Sequence, residues 1–186
     1  MAILLPHTES LYAALELLPD GYRGEIIGGR LHTSPRPAAK HVMVGSVLGA
    51  DLLNPYQRGR GGPGGWWILD EPEVHFARNI EVVVPDLAGW KRERMPSLPD
   101  DHRFEVVPDW VCEILSPGTA NYDREIKMPA YAGHGVRWLW LIDPAAQHLQ
   151  VYENTDSSWK LKNEFNADDS ISAPPFTDVA LQPPWS

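Results

Sequence analysis

The sequence has one cysteine and no long hydrophobic run. With Cys112 alone among its 186 residues, the chain cannot form an intrachain disulfide, which favours a reducing compartment. No stretch approaches the roughly 18 apolar residues that a membrane helix needs. The first ten residues, MAILLPHTES, lack the basic region and apolar core of a secretory signal. We therefore expect a soluble, cytoplasmic protein with no membrane partner.

Positive charge is also scarce. Lys and Arg number 16 against 25 Asp and Glu, which gives a formal net charge of -9. Because phosphate neutralisation dominates nucleic-acid binding, this balance argues against an ordinary nucleic-acid-binding protein. Two basic stretches, 58–60 and 91–94, are either parts of a local positive groove or ordinary solvated loops.

The chain of 186 residues has no convincing linker, so one α/β domain is predicted over residues 1–186. The apolar pattern of its first half predicts two helices and a hairpin. A helix begins near Thr8, and two β-type runs at 22–27 and 30–33 are joined by Gly28-Gly29, which is typical of a tight hairpin. A second helix of about 15 residues follows Pro37, with His41 on its apolar stripe.

The second half adds buried strands and a further helix. Residues 109–115 and 137–142 form nearly all-apolar runs, as expected of strands covered on both faces, and a helix is predicted between them at 121–132. The proline-rich tail from about residue 171 is predicted to be an extended segment. Trp185 is expected to be exposed there, which favours a homodimer.

Polar residues within these apolar strands carry the chemical signal. Glu113 lies within the run Trp-Val-Cys-Glu-Ile-Leu, where a carboxylate is costly unless it is paired or binds a metal. Asp86 leads into another apolar strand, and Lys127 lies on the helix that follows Glu113. Two carboxylates on neighbouring strands suit Mg²⁺ or Mn²⁺ rather than zinc. The pattern thus predicts a divalent-metal site.

Structural alternatives exist for each of these residues. Asp86 after Pro85 is also typical of a turn or cap. Asp123, Lys127 and Tyr131 recur every four residues on one helical face, so Asp123 and Lys127 could form a surface ion pair. Glu113 could instead pair with a buried arginine.

An ordered set of short motifs resembles a known family. In order, the pieces are Gly29-Arg30-Leu31, Ser34-Pro35, His41, Pro85-Asp86, Glu113-Ile114-Leu115-Ser116-Pro117, Thr119, Asp123, Lys127, Pro129, Tyr131, Gly135-Val136, Trp140 and Asp143-Pro144. This set, over residues 8 to 180, resembles the Uma-two-type restriction endonucleases, a branch of the PD-(D/E)XK nuclease superfamily. The resemblance implies a restriction-endonuclease-like mixed central sheet flanked by helices.

The resemblance also implies roles for individual residues. Asp86 and Glu113 would bind the metal. The superfamily lysine would fall at position 115, which is leucine here, so its role would pass to Lys127 on the following helix. Glu25 and His41 match polar positions of the family and are accessory candidates, together with Asp123 and Tyr131 on the Lys127 helix. Pro129 in that helix predicts an irregularity near residue 125.

The resulting prediction is a magnesium- or manganese-dependent DNA endonuclease that hydrolyses phosphodiester bonds, with Asp86, Glu113 and Lys127 as catalytic residues. The acidic charge favours one alternative, a non-catalytic module that binds nucleic acid or protein and retains the nuclease fold. A metal-dependent hydrolase of RNA or nucleotides is a third reading.

Overall fold

Short strands and a few helices make up the part of the chain that the computed structural model describes, residues 8–185. Residues 1–7, which carry most of the stretch read for a targeting segment, and residue 186 lie outside it. The helices are α1 (Thr8–Glu16), α2 (Ala39–Leu52), α3 (Ala120–Tyr122) and α4 (Met128–Gly133), with π-helical turns at Leu53–Gln57 and Asp123–Lys127. The strands are β1 (Tyr22–Ile27), β2 (Arg30–Pro35), β3 (Trp66–Asp70), β4 (Glu73–Ala77), β5 (Glu81–Val83), β6 (Leu87–Lys91), β7 (Arg103–Phe104), β8 (Trp110–Ile114), β9 (Trp138–Asp143), β10 (His148–Thr155), β11 (Ser158–Phe165), β12 (Ile171–Ala173) and β13 (Phe176–Leu181).

The strands form two mixed sheets and one small hairpin. The larger sheet has the order β11-β10-β9-β8-β6-β3, in which only β8 and β9 run parallel. The second has the order β2-β1-β5-β4-β7, in which only β4 and β7 run parallel. These sheets confirm the predicted mixed α/β architecture. None of the helices within residues 8–185 combines the length and apolar character needed to span a bilayer.

Strand β8 divides the core into two layers. Cys112 and Ile114 face the cluster that contains α2 and the β12-β13 hairpin, while Val111 and Leu115 face the cluster that contains α4. This alternation follows from the two-residue period of a strand. A polar residue on β8 is therefore buried in one layer or the other, and Cys112 is fully buried.

The predicted hairpin at Gly28-Gly29 is confirmed. Ile27 pairs with Arg30, and the two glycines between them have φ angles of +59° and +69°. These angles are the left-handed values that a two-residue turn requires and that glycine adopts without steric cost. The hairpin carries β1 along the wall of the cavity described below.

The helical segment 120–133 is interrupted as predicted. Its central turn, Asp123–Lys127, is π-helical, and the backbone N–H of Met128 donates to the carbonyl of Asp123. Pro129 has no backbone N–H, so the regular ladder cannot continue through this point. The widened turn lies in the middle of the segment that carries Lys127.

The carboxyl-terminal segment is folded back on the core. The extended segment predicted from residue 171 consists of the paired strands β12 and β13. Trp185 is 9% exposed, and its indole N–H donates to the carbonyl of Ala167 at 3.1 Å. The expectation of an exposed Trp185 was wrong. This side chain therefore gives no support to a homodimer. Its apolar surface is buried against other residues of the same chain.

Candidate active site

Asp86 and Glu113 meet on the same side of the larger sheet. Glu113 shares the face of Val111 on β8, and it is only 1% exposed. Leu87 on β6 lies opposite Cys112, so one step further the antiparallel register brings Asp86 opposite Glu113. Opposed residues of an antiparallel pair project to the same face. Both side chains line one cavity of about 280 Å³.

Three groups fix the carboxylate of Asp86. The backbone N–H of Ile114 donates to Oδ2 at 2.7 Å, and His41 Nε2 lies 2.9 Å from Oδ1. Arg23 approaches Oδ1 at 3.4 Å. Burial acts to raise the pKa of Asp86, but the hydrogen bond from His41 and the charge of Lys127 outweigh it and lower that pKa. Asp86 is therefore a carboxylate at neutral pH.

Lys127 is buried and fully paired. It is 4% exposed, and its ammonium lies 2.8 Å from Glu113 Oε1 and 3.1 Å from Glu25 Oε1, and donates to the carbonyl of Val84 at 3.1 Å. An ammonium has three N–H donors, so each has a partner. Burial acts to lower the pKa of Lys127, but the facing carboxylates of Glu113 and Glu25 raise it well above its usual value.

The buried position of Lys127 rules out two of the structural alternatives. Asp123 is also only 5% exposed, so the idea of a surface ion pair between Asp123 and Lys127 was wrong. The side chain that pairs with Glu113 is Lys127 rather than a buried arginine.

Glu113 is the most deeply buried carboxyl group of the cavity. The hydroxyl of Tyr131 donates to the same Oε1 atom that Lys127 contacts. Burial raises the pKa of Glu113 well above its usual value; the charges of Asp86 and Asp123 act in the same direction, and Lys127 opposes them. Carboxyl groups brought together in this way repel each other when ionised, and a divalent cation relieves that repulsion.

Glu25 closes the far wall of the cavity. Its Oε1 atom accepts the backbone N–H of Val84 at 2.7 Å as well as the Lys127 contact, and its Oε2 atom accepts the hydroxyl of Tyr122 at 2.9 Å. The four accessory candidates thus lie around the Asp86–Glu113–Lys127 group: Glu25, His41 and Asp123 line the cavity, and Tyr131 contacts Glu113.

Asp123 is expected to make the stability of the protein depend on pH. Burial and the charge of Asp86 raise its pKa to about 6, against the opposing charge of Lys127. Because the folded state binds this proton more tightly than the unfolded state, the free energy of unfolding should fall as the pH rises from about 4 to about 6, by about 1–3 kcal/mol. Asp123→Asn should flatten this dependence, as measured by urea unfolding at pH 4.5 and pH 7. An unchanged slope in the variant would remove Asp123 as its source.

The sequence patterns missed Arg23 and Tyr122. Arg23 and Glu25 are two residues apart on β1 and so share a face that lines the cavity, a period-two signal present in the sequence. Arg23 also contacts Glu71 at 2.7 Å, which no local pattern indicates. The basic stretches 58–60 and 91–94 do not line this cavity.

The possible metal donors of the cavity are mainly carboxylate oxygens. Among residues 8–185 there is no group of three or more His, Cys, Asp or Glu side chains arranged to hold a metal. Magnesium commonly keeps several waters and uses only one or two carboxylates, whereas structural zinc takes four protein ligands rich in Cys and His. A site made of Asp86 and Glu113 alone would therefore suit Mg²⁺ or Mn²⁺ better than zinc.

The fold is shared with a solved structure. The chain matches the crystal structure of "a putative nuclease belonging to DUF820" from Anabaena variabilis ATCC 29413, with a TM-score of 0.73 and 23% sequence identity. The match covers 94% of this chain and 96% of that one. The mixed central sheet with flanking helices is thus shared over nearly the whole length of both proteins, as the restriction-endonuclease-like prediction requires.

The family follows from the sequence. The family model described as "Uma2: Putative restriction endonuclease" matches residues 10–183. The chain belongs to this family, and the family resemblance drawn from its motifs is confirmed. No curated protein sequence matches the chain. A nuclease-like function agrees with both the family and the structural neighbour.

Proposed function

We propose that this protein is a divalent-metal-dependent DNA endonuclease that hydrolyses phosphodiester bonds. The observation that carries the proposal is the buried contact between Lys127 and Glu113, at 2.8 Å, in the cavity that Asp86 also lines. A buried ion pair is often less stabilising than apolar residues of the same volume. A cluster of buried charges that contributes little to stability and borders an accessible cavity is better explained by a catalytic role than by a role in folding.

Each side chain has a separate part in the proposed reaction. Asp86 and Glu113 would hold Mg²⁺ or Mn²⁺. When bound, this ion would place positive charge beside a phosphate oxygen and lower the pKa of a bound water. His41 and the N–H of Ile114 hold the Asp86 carboxylate in one orientation. Lys127 would turn one of the N–H groups that face Glu113 and Glu25 toward the attacking water, or would stabilise the negative charge on the phosphorane-like transition state.

The direct test is cleavage of DNA circles. Circular single-stranded DNA and supercoiled plasmid have no ends, so linear products or nicks from either one report an endonuclease. We expect cleavage in millimolar Mg²⁺ or Mn²⁺ and none in chelator, with Asp86→Asn inactive. DNA binding without cleavage of either circle in either metal would favour the alternative, a non-catalytic module that retains the nuclease fold.

Metal binding has a readout that does not depend on activity. A cation that binds only the folded state raises the melting temperature, by about 5–10 °C at a concentration 100-fold above its Kd for a chain of this size. Glu113→Gln removes one charged ligand and should abolish most of that rise, as measured by calorimetry with and without Mn²⁺. Glu164→Gln on exposed β11 is the matched control and should keep it. A wild-type melting temperature that is unchanged by millimolar metal would contradict the proposed site.

A further inference from the structure

The cavity around Asp86 is the middle of a longer groove. A second cavity of about 370 Å³ shares with it the walls formed by Arg23, Arg36, His41 and Asp86. On the opposite side, a cavity of about 240 Å³ shares Glu25 and neighbouring residues. The three cavities therefore adjoin one another in a row, with the Asp86–Glu113–Lys127 group at the middle one.

Aromatic rings line both ends of this groove. At one end Tyr22, the first residue of β1, is 55% exposed. At the other end His32 and Tyr122 line the third cavity, and their ring centroids lie 5.0 Å apart. An exposed ring offers a stacking surface to a base. In a duplex each base face is covered by its neighbours, so such surfaces serve a strand whose bases are unpaired.

The charges of the groove do not suit a duplex. Arg23 is held by Glu71 and Asp86, while the exposed Arg36 makes no ion pair among the described residues. Asp70 and Glu71 line the same cavity as these arginines, and Glu71 contacts Arg23. Duplex binding depends on many phosphate contacts, and a chain with a net charge of -9 offers few of them here. Stacking on aromatic rings supplies affinity that does not depend on charge.

We infer that the groove binds single-stranded DNA, with unpaired bases stacked on Tyr22 and on His32 at either side of the bond that is cut. This inference rests on the proposed endonuclease function, and it names the form of the DNA substrate. Arg36, at the junction of the first two cavities, contacts a backbone phosphate of the same strand. A strand bound in this way passes through the site and needs no free terminus there.

Binding of fluorescent oligonucleotides tests the inference directly. In Ca²⁺, anisotropy should show that a 12-nucleotide single strand binds at least 10-fold more tightly than a 12-base-pair duplex. Tyr22→Ala should weaken single-strand binding about 10-fold, the scale of one lost base stack, and Tyr22→Phe should retain it. His32→Ala should show a similar loss. Leu161→Ala, which trims a 47% exposed side chain on β11, is the matched control and should bind like wild type.

The outcomes separate this inference from the proposed function. Equal affinity for the two DNA forms, or undiminished single-strand binding by Tyr22→Ala, would overturn the inference even if the protein cleaves DNA. A clear preference for the single strand that depends on Tyr22, with no cleavage in Mg²⁺ or Mn²⁺, would support the groove as a binding surface and contradict only the endonuclease function.

Discussion

Replacing Lys127 with alanine is expected to lower the free energy of unfolding at pH 7.5 by about 3–5 kcal/mol, the usual cost of removing one partner from a buried ion pair. The ammonium is the shared cation of Glu113 and Glu25, and it also donates a hydrogen bond to the carbonyl of Val84. Its loss leaves two buried carboxyl groups without their shared cation and removes the donor to the carbonyl of Val84. Urea unfolding followed by circular dichroism measures the effect.

Two further variants identify the source of this loss. Lys162→Ala removes an ammonium that pairs with Glu153 at 3.2 Å while 45% exposed, and it should cost less than about 1 kcal/mol. The double change Lys127→Ala with Glu113→Gln removes the unpaired charge and should be less destabilised than the sum of the two single changes. Additive losses in the double variant would mean that Lys127 and Glu113 are not coupled.

Replacing Lys127 with methionine is expected to reduce the rate of DNA cleavage by about 10²-fold or more, as when a preorganised electrostatic donor is removed from an active site. Methionine retains much of the apolar stem of lysine while removing the charge and all three N–H donors. The initial rate of cleavage of circular DNA, at matched metal and salt and at a temperature where both proteins are folded, measures the effect.

The behaviour toward metal separates a catalytic lysine from a structural one. Lys127→Met leaves Asp86 and Glu113 in place, so Mn²⁺ should still raise the melting temperature of the variant. Asp86→Asn should lose both the cleavage and most of the metal effect. Cleavage by Lys127→Met at the wild-type rate would show that the reaction does not use this ammonium.

Local patterns in the sequence were sufficient to predict much of the framework. The Gly28-Gly29 hairpin depends only on residues next to one another, and so does the burial of Glu113 within an apolar strand. The convergence of Asp86 and Lys127 on that strand was also predicted, because strands of one sheet and the helix between them have few ways to pack. The irregular turn near residue 125 followed from the missing N–H of Pro129.

The remaining features depend on contacts that no local pattern encodes. Arg23 reaches both Glu71 and Asp86, which are 48 and 63 residues away along the chain, and that pairing is fixed only when the two sheets pack. Trp185 is buried because the carboxyl-terminal hairpin folds over the larger sheet, and the composition of the tail gave no sign of this. The groove is likewise formed by side chains from separate parts of the chain, on β1, α2, β8 and the helical segment 120–133.

The π-helical turn makes the cavity sensitive to the number of residues in the chain as well as to their type. Tyr122 and Lys127 are five residues apart, yet both contact the carboxyl group of Glu25. In a regular α-helix, residues five apart point about 140° away from each other, and the wider turn brings them back to one side. Insertion of a single residue between 123 and 127 would place these two side chains six residues apart, about 120° away from each other in a regular α-helix. Exchange of the exposed residues 124–126 should therefore be tolerated more readily than an insertion at the same place.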